Sequence, residues 1–152
     1  MEALSRKSQL AGTILKERIA FHGHPSILAL HPTTLEITSE NHLTQRGDCI
    51  VGVCAERGCA QLDEAVKSGI RRVSSRIQIR IVVGADSFVV SASGDPRLTL
   101  THPYDLVVRK SHFVSDRTVA VGANAAAKDI PRRMVTRLRN LETVGHLEFE
   151  VS

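Results

Sequence analysis

Two histidines, His31 and His102, each stand immediately before a proline, in His31-Pro32 and His102-Pro103. Histidine is the commonest metal ligand and the side chain most readily charged near neutral pH. Two of them in equivalent places would suit a metal ion or an anion; either ring can instead satisfy backbone N–H groups of its own turn. Asp95 and Lys110, with His31 or His102, would supply the groups for acid–base chemistry if the fold gathers them. Arg46 and Arg117 form a second pair. Each precedes an apolar stretch and could fork onto a phosphate or carboxylate, or close a structural pair with Asp48 or Asp116. Arg109 and Lys110 add a basic cluster beside them. No Gly-x-x-x-x-Gly-Lys-Ser/Thr, His-Glu-x-x-His or Gly-x-Ser-x-Gly string occurs, so enzyme classes marked by those strings are not indicated, and the sequence does not specify a cofactor.

Two longer stretches are basic. Lys67, Arg71, Arg72, Arg76 and Arg80 follow one another without an intervening acid, and Arg132, Arg133, Arg137 and Arg139 cluster further on. A basic patch is the footprint of a nucleic-acid binder. Aromatic residues on which bases would stack are scarce, at 3% of the chain, which leaves phosphate-backbone or duplex contact. The same arginines also suit a solvated face that guards a sheet edge or complements a helix C-terminus. The cysteines, Cys49, Cys54 and Cys59, are odd in number and spaced too widely for Cys-x-x-Cys zinc ligation, so buried structural thiols are expected and no metal site is assigned.

What must position these residues is an internal repeat. With Gly23-His24-Pro25 set over Gly94-Asp95-Pro96, His31-Pro32 falls on His102-Pro103, Leu35 on Leu106 and Arg46 on Arg117, at a constant offset of 71. Thereafter Val51-Gly52 falls on Val121-Gly122 and Ala55 on Ala125. Leu62, Val66 and Ile70 fall on Ile130, Met134 and Leu138, and Ile77, Ile79 and Ile81 on Leu147, Phe149 and Val151. Each copy predicts a strand (13–22 and 85–93), a second strand (26–30, 97–101) and a third in which Leu35 and Ile37, or Leu106 and Val108, point inward while Glu36 points outward. A fourth strand (48–54, 117–122), a short helix and a last strand (75–83, 145–151) follow. In the second copy Asp129 is placed to cap the helix, with Pro131 in its first turn.

The expected fold is therefore α+β: a duplicated β-β-β-β-α-β unit, copies 12–83 and 84–152, forming one β-rich, pseudo-two-fold domain over 1–152, barrel-like or two-sheet, with two short helices. The 152 residues suffice for one core without a staple, and 42% apolar with 24% charged residues is ordinary for a soluble protein. No apolar run approaches a bilayer span and Met1–Leu10 lacks a signal-peptide core, so a cytoplasmic protein with no membrane partner is expected; self-association is left open.

The strings Gly23-His24-Pro25, His31-Pro32-Thr33-Thr34-Leu35-Glu36, Arg46-Gly47-Asp48-Cys49-Ile50, Val108-Arg109-Lys110-Ser111 and Ala126-Ala127-Lys128-Asp129 resemble those of an archaeal family known as a domain of unknown function. The resemblance spans nearly the whole chain. It implies an archaeal, soluble, single-domain protein and lends no catalytic residues. From the residues themselves, the leading functional expectation is a binding module for an anionic ligand, either nucleic acid (Arg71, Arg72, Arg76, Arg80, Arg132, Arg133) or a phosphate-bearing small molecule (Arg46, Arg109, Lys110, Arg117). The alternative is an enzyme built on His31 or His102 with Asp95 and Lys110.

Overall fold

The computed structural model describes residues 14–43 and 47–152. Along the chain come β1 (Leu15–His22), β2 (Thr34–Thr38), β3 (Ile50–Gly52), α1 (Glu64–Ile70) and β4 (Arg76–Val83), then β5 (Asp86–Ser93), β6 (Asp105–Arg109), β7 (Thr118–Ala120), α2 (Arg132–Leu138) and β8 (Val144–Val151). The two halves thus carry their elements in the same order. Period-2 alternation makes the long strands: in β4, Ile77, Ile79, Ile81 and Val83 are buried while Arg76 and Arg80 face out.

The first sheet is antiparallel throughout, in the order β1-β8-β4-β5. The second runs β3-β2-β6-β7, with an antiparallel centre and parallel outer pairs. Ile19, Phe21, Ile79 and Phe149 of the first sheet meet Leu35, Ile37, Leu106 and Val108 of the second in one core. Val66 and Ile70 of α1 and Met134 and Leu138 of α2 also belong to that core. Isolated bridges, His22 to Val53 and Ser93 to Val121, tie the sheets at their corners. The sheets do not close into a barrel; of the two arrangements open from the sequence, the two-sheet one is present. No helix among the described residues is long and apolar enough to cross a membrane.

Three local expectations are corrected. Residues 26–30 and 97–101 form no strand, so each half places three strands, not four, before its helix. Ile27, Ala29, Leu98 and Leu100 are buried as a strand pattern requires, but Ala29 and Leu100 adopt φ of 51° and 53°, a left-handed conformation that interrupts a strand. Their backbone groups find other partners. Leu30 N–H and His31 N–H donate to the Asp48 carbonyl, and Thr101 N–H and His102 N–H to that of Asp116. Second, Glu36 does not face solvent; it is 5% exposed. Third, Asp129 does not cap α2. It lies in the preceding turn, where its carboxylate accepts from Ala126 N–H at 2.9 Å, and Pro131 itself is the N-cap.

The Gly-x-Pro strings mark where the chain crosses a helix end. His24 N–H donates to the Leu138 carbonyl at the end of α2, and Asp95 N–H to the Ile70 carbonyl at the end of α1. A Cβ on Gly23 or Gly94 would overlap those same carbonyl oxygens, which are backbone and have little room to move. A Cβ on Gly69 would meet mainly the tip of Leu15, and alanine favours a helix by about 1 kcal/mol over glycine. Gly94→Ala should therefore lower unfolding stability by about 1–3 kcal/mol, while Gly69→Ala should cost less than half as much. Denaturant midpoints of the two variants check this; equal losses would contradict the close-approach account.

Candidate functional site

The outer face of the second sheet should be solvated, yet Glu36, Thr38, Asp105, Val107 and Thr118 on it are all buried. The β2–β6 register sets Glu36 opposite Val107 and Thr38 opposite Asp105, and the β2–β3 register sets Glu36 beside Ile50. A cavity of about 260 Å³ opens over this face, lined by Glu36, Thr38, Glu40, His42, Cys49, Ile50, Asp105 and Arg117.

Its two buried carboxylates are treated differently. Asp105 accepts the Thr38 hydroxyl at 2.8 Å on Oδ1 and Arg117 Nη1 at 3.1 Å on Oδ2. It is a compensated anion. Glu36, with a side chain 7% exposed, has the same Arg117 nitrogen at 3.6 Å and only the Cys49 thiol, at 4.0 Å, as a hydrogen-bond donor among the described residues. Burial, reinforced by the Asp105 charge, pushes its pKa from 4.5 to about 7, against the opposing pull of Arg117 and Arg109. Burial likewise pushes the Cys49 thiol up to about 11, so it is not a ready thiolate.

The sequence-selected residues are distributed around this cavity and away from it. Arg117 is in it. Arg109 flanks it, with Nε on the Thr118 hydroxyl at 2.9 Å and its guanidinium over the Phe113 ring. Arg46 lies outside the described residues. His102 accepts the Tyr104 and Asp105 N–H groups on Nδ1 (3.1 and 3.0 Å), and its Nε2 is 3.8 Å from Asp105 Oδ2. His31 accepts the N–H groups of Thr33 and Thr34 in the same manner. Both rings thus serve their own turns. The turns enter β2 and β6, which run antiparallel with Thr34 opposite Arg109 and Thr38 opposite Asp105, so they sit at opposite ends of that pair. Asp95, Lys110 and His102 are not brought together. Asp95 binds the Arg97 guanidinium, which with Arg97 N–H holds its pKa down at about 2; Lys110 lies 3.9 Å from Asp129. No group of three or more His, Cys, Asp or Glu among the described residues is arranged to hold a metal ion.

Much of the basic sequence is structural. Arg71 donates to the Leu98 and Thr99 carbonyls, and Arg132 to those of Leu28 and Ala29. These guanidinium groups bond the two segments, 26–30 and 97–101, that do not pair as strands. Arg72 reaches the Gly69 carbonyl at 3.5 Å, and Arg133 and Arg137 pair with Asp86. Arg76 and Arg80 do face outward from β4, as the alternation predicts. Of the cysteines, Cys59 is buried but Cys49 only partly so, and Cys54 is exposed, contrary to the expectation for all three.

Glu36, Thr38, Cys49 and Asp105 were missed as site residues. One signal was present: Leu106-Val107-Val108 is a continuous apolar run, which marks a strand covered on both faces, and Glu36 shares the second face with Val107.

A two-sheet α+β fold with a small, charge-lined cavity outside its main core defines the class of this protein. A family model described as a domain of unknown function (DUF371) matches residues 19–152, and the chain belongs to that family. It is also 38% identical over 117 residues to an uncharacterised protein, MJ0206, of the archaeon Methanocaldococcus jannaschii, covering 77% of this chain and 86% of that protein.

A carboxyl whose pKa is raised on folding binds its proton more tightly in the folded state. Its stabilising contribution is complete below about 4.5 and is lost as pH rises through about 7. For Glu36 that loss is on the order of 3 kcal/mol. Glu36→Gln should remove this component, leaving the variant more stable than the parent at pH 8 and no better at pH 5, as read from denaturant midpoints. An equal difference at both pH values would show that Glu36 is not the titrating group.

Proposed function

We propose that the cavity over Glu36, Asp105 and Arg117 is a binding site for a small polar molecule, with Glu36 as the group that accepts a hydrogen bond or a proton from it. One observation carries the reading: Glu36 is buried and faces the cavity, yet no oxygen or nitrogen donor among the described residues lies within hydrogen-bond distance of it. A buried carboxylate in that position costs several kcal/mol, and a ligand donor would offset it. The volume suits a ligand smaller than drug-sized compounds, whose pockets start at about 300 Å³.

An anionic ligand, which the arginine-rich sequence favours, finds less support in this cavity, because Glu36, Glu40 and Asp105 face it against one guanidinium. For nucleic acid, the arginines committed to carbonyls and to Asp86 leave Arg76 and Arg80 as the outward cations of β4, on a sheet face where Glu148 and Glu150 of β8 lie opposite Arg80 and Gln78.

The internal duplication belongs to the same reading. The matched carbonyl contacts of Asp48 and Asp116 support an offset of 68 from that point on, so Cys49 rather than Arg46 stands opposite Arg117. Likewise Val107 stands opposite Glu36. The site is then the place where two related halves have diverged, one supplying Glu36 and Thr38, the other Asp105 and Arg117.

Ligand-observed NMR screening with a library of polar fragments tests the proposal. Fragments that bind should lose about 10- to 100-fold in affinity in Glu36→Gln, the value of one charged hydrogen bond, and keep it in Arg76→Gln. Binders indifferent to Glu36→Gln would place the ligand site elsewhere.

A further inference from the structure

The chemistry of the cavity narrows the ligand further, resting on the reading that this cavity is the binding site. We infer that the recognised group is a cationic nitrogen, of the amidinium, guanidinium or ammonium class. The donors and acceptors in the cavity divide unevenly. The Thr38 hydroxyl is spent on Asp105. Arg117 Nη1 is directed to Asp105 at 3.1 Å and stands at 3.6 Å from Glu36. His42 Nε2 lies 3.3 Å from Glu40. The least satisfied acceptor is Glu36, whose side chain is 7% exposed and whose partners among the described residues are the Cys49 thiol at 4.0 Å and Arg117 Nη1 at 3.6 Å.

The charges give the same sign. Three carboxylates face one guanidinium and the His42 imidazole in the lining, so a cation entering the space reduces the excess of negative charge, whereas an anion would meet Glu36 and Asp105 at close range. A planar amidinium or guanidinium also offers two parallel N–H donors, which match the two oxygens of a carboxylate. An ammonium group matches the charge without the fork. The inference needs no metal ion and no reaction at the ligand.

Three nearly isosteric probes separate the alternatives: acetamidinium, acetamide and acetate, each titrated into the folded, isotopically labelled protein at pH 8 with amide shifts as the readout. Acetamidinium should perturb the amides of residues 36–40 and 105–109 and bind about tenfold more tightly than acetamide or acetate, the value of a charged over a neutral hydrogen bond. Glu36→Gln should abolish that preference, with Arg76→Gln unchanged. Because the three probes are compared on the unaltered protein, the result does not depend on the variant folding. If acetate or acetamide perturbs those amides as strongly as acetamidinium, the cavity stands as the ligand site and the cationic assignment falls. If none of the three perturbs them, both fall.

Discussion

The contact on which the site depends is the ion pair between Asp105 and Arg117. A carboxylate placed on the outer face of a sheet and then covered must be compensated, or its desolvation outweighs what the covering contributes. Asp105 is compensated by Arg117 at 3.1 Å and by the Thr38 hydroxyl at 2.8 Å, and strand register decides both partners. The antiparallel β2–β6 pairing sets Thr38 opposite Asp105. The parallel β6–β7 pairing brings the residue before Thr118 alongside β6, where Arg117 also offers its carbonyl to Val107 N–H. Because Arg117 Nη1 is closer to Asp105, Glu36 is left with a longer electrostatic contact, which offsets only part of the rise in pKa that burial and the Asp105 charge produce. The unequal treatment of two neighbouring carboxyl groups is thus a consequence of register.

The rest of the molecule holds that register. Each half sends its Gly-x-Pro segment over the end of the other half's helix, and Arg71 and Arg132 bond the carbonyls of segments that have no neighbouring strand. The arginine-rich composition is therefore explained in good part by backbone carbonyls that need donors. Five donors in a planar fork suit that task better than an ammonium group.

The sequence made the long strands legible because apolar residues alternate cleanly in Ile77, Ile79 and Ile81 and in Leu147, Phe149 and Val151. The helices were legible from Val66 and Ile70 and from Met134 and Leu138. The segments at 26–30 and 97–101 misled because burial alternates there too, while the left-handed residues Ala29 and Leu100 carry no sequence mark: neither is glycine or asparagine, the usual occupants. The histidine turns were readable as turns; their proline neighbours fix the geometry. The site was mostly hidden. Glu36 alternates with Leu35 and Ile37 and so reads as solvent-facing; what buries it is the covering of the second face, a tertiary fact that periodicity in β2 does not contain. Arg117 was found for its residue type, though its partners turned out to be Asp105 and Glu36 rather than Asp48 or Asp116.

Glu36 is a buried carboxyl that changes charge near neutral pH. Carbon-detected NMR of the side-chain carboxyl resonances, followed from pH 4 to pH 9, measures this directly. Glu36 should titrate with a midpoint near 7. A Glu36 midpoint near 4.5, the ordinary value for its type, would contradict the account.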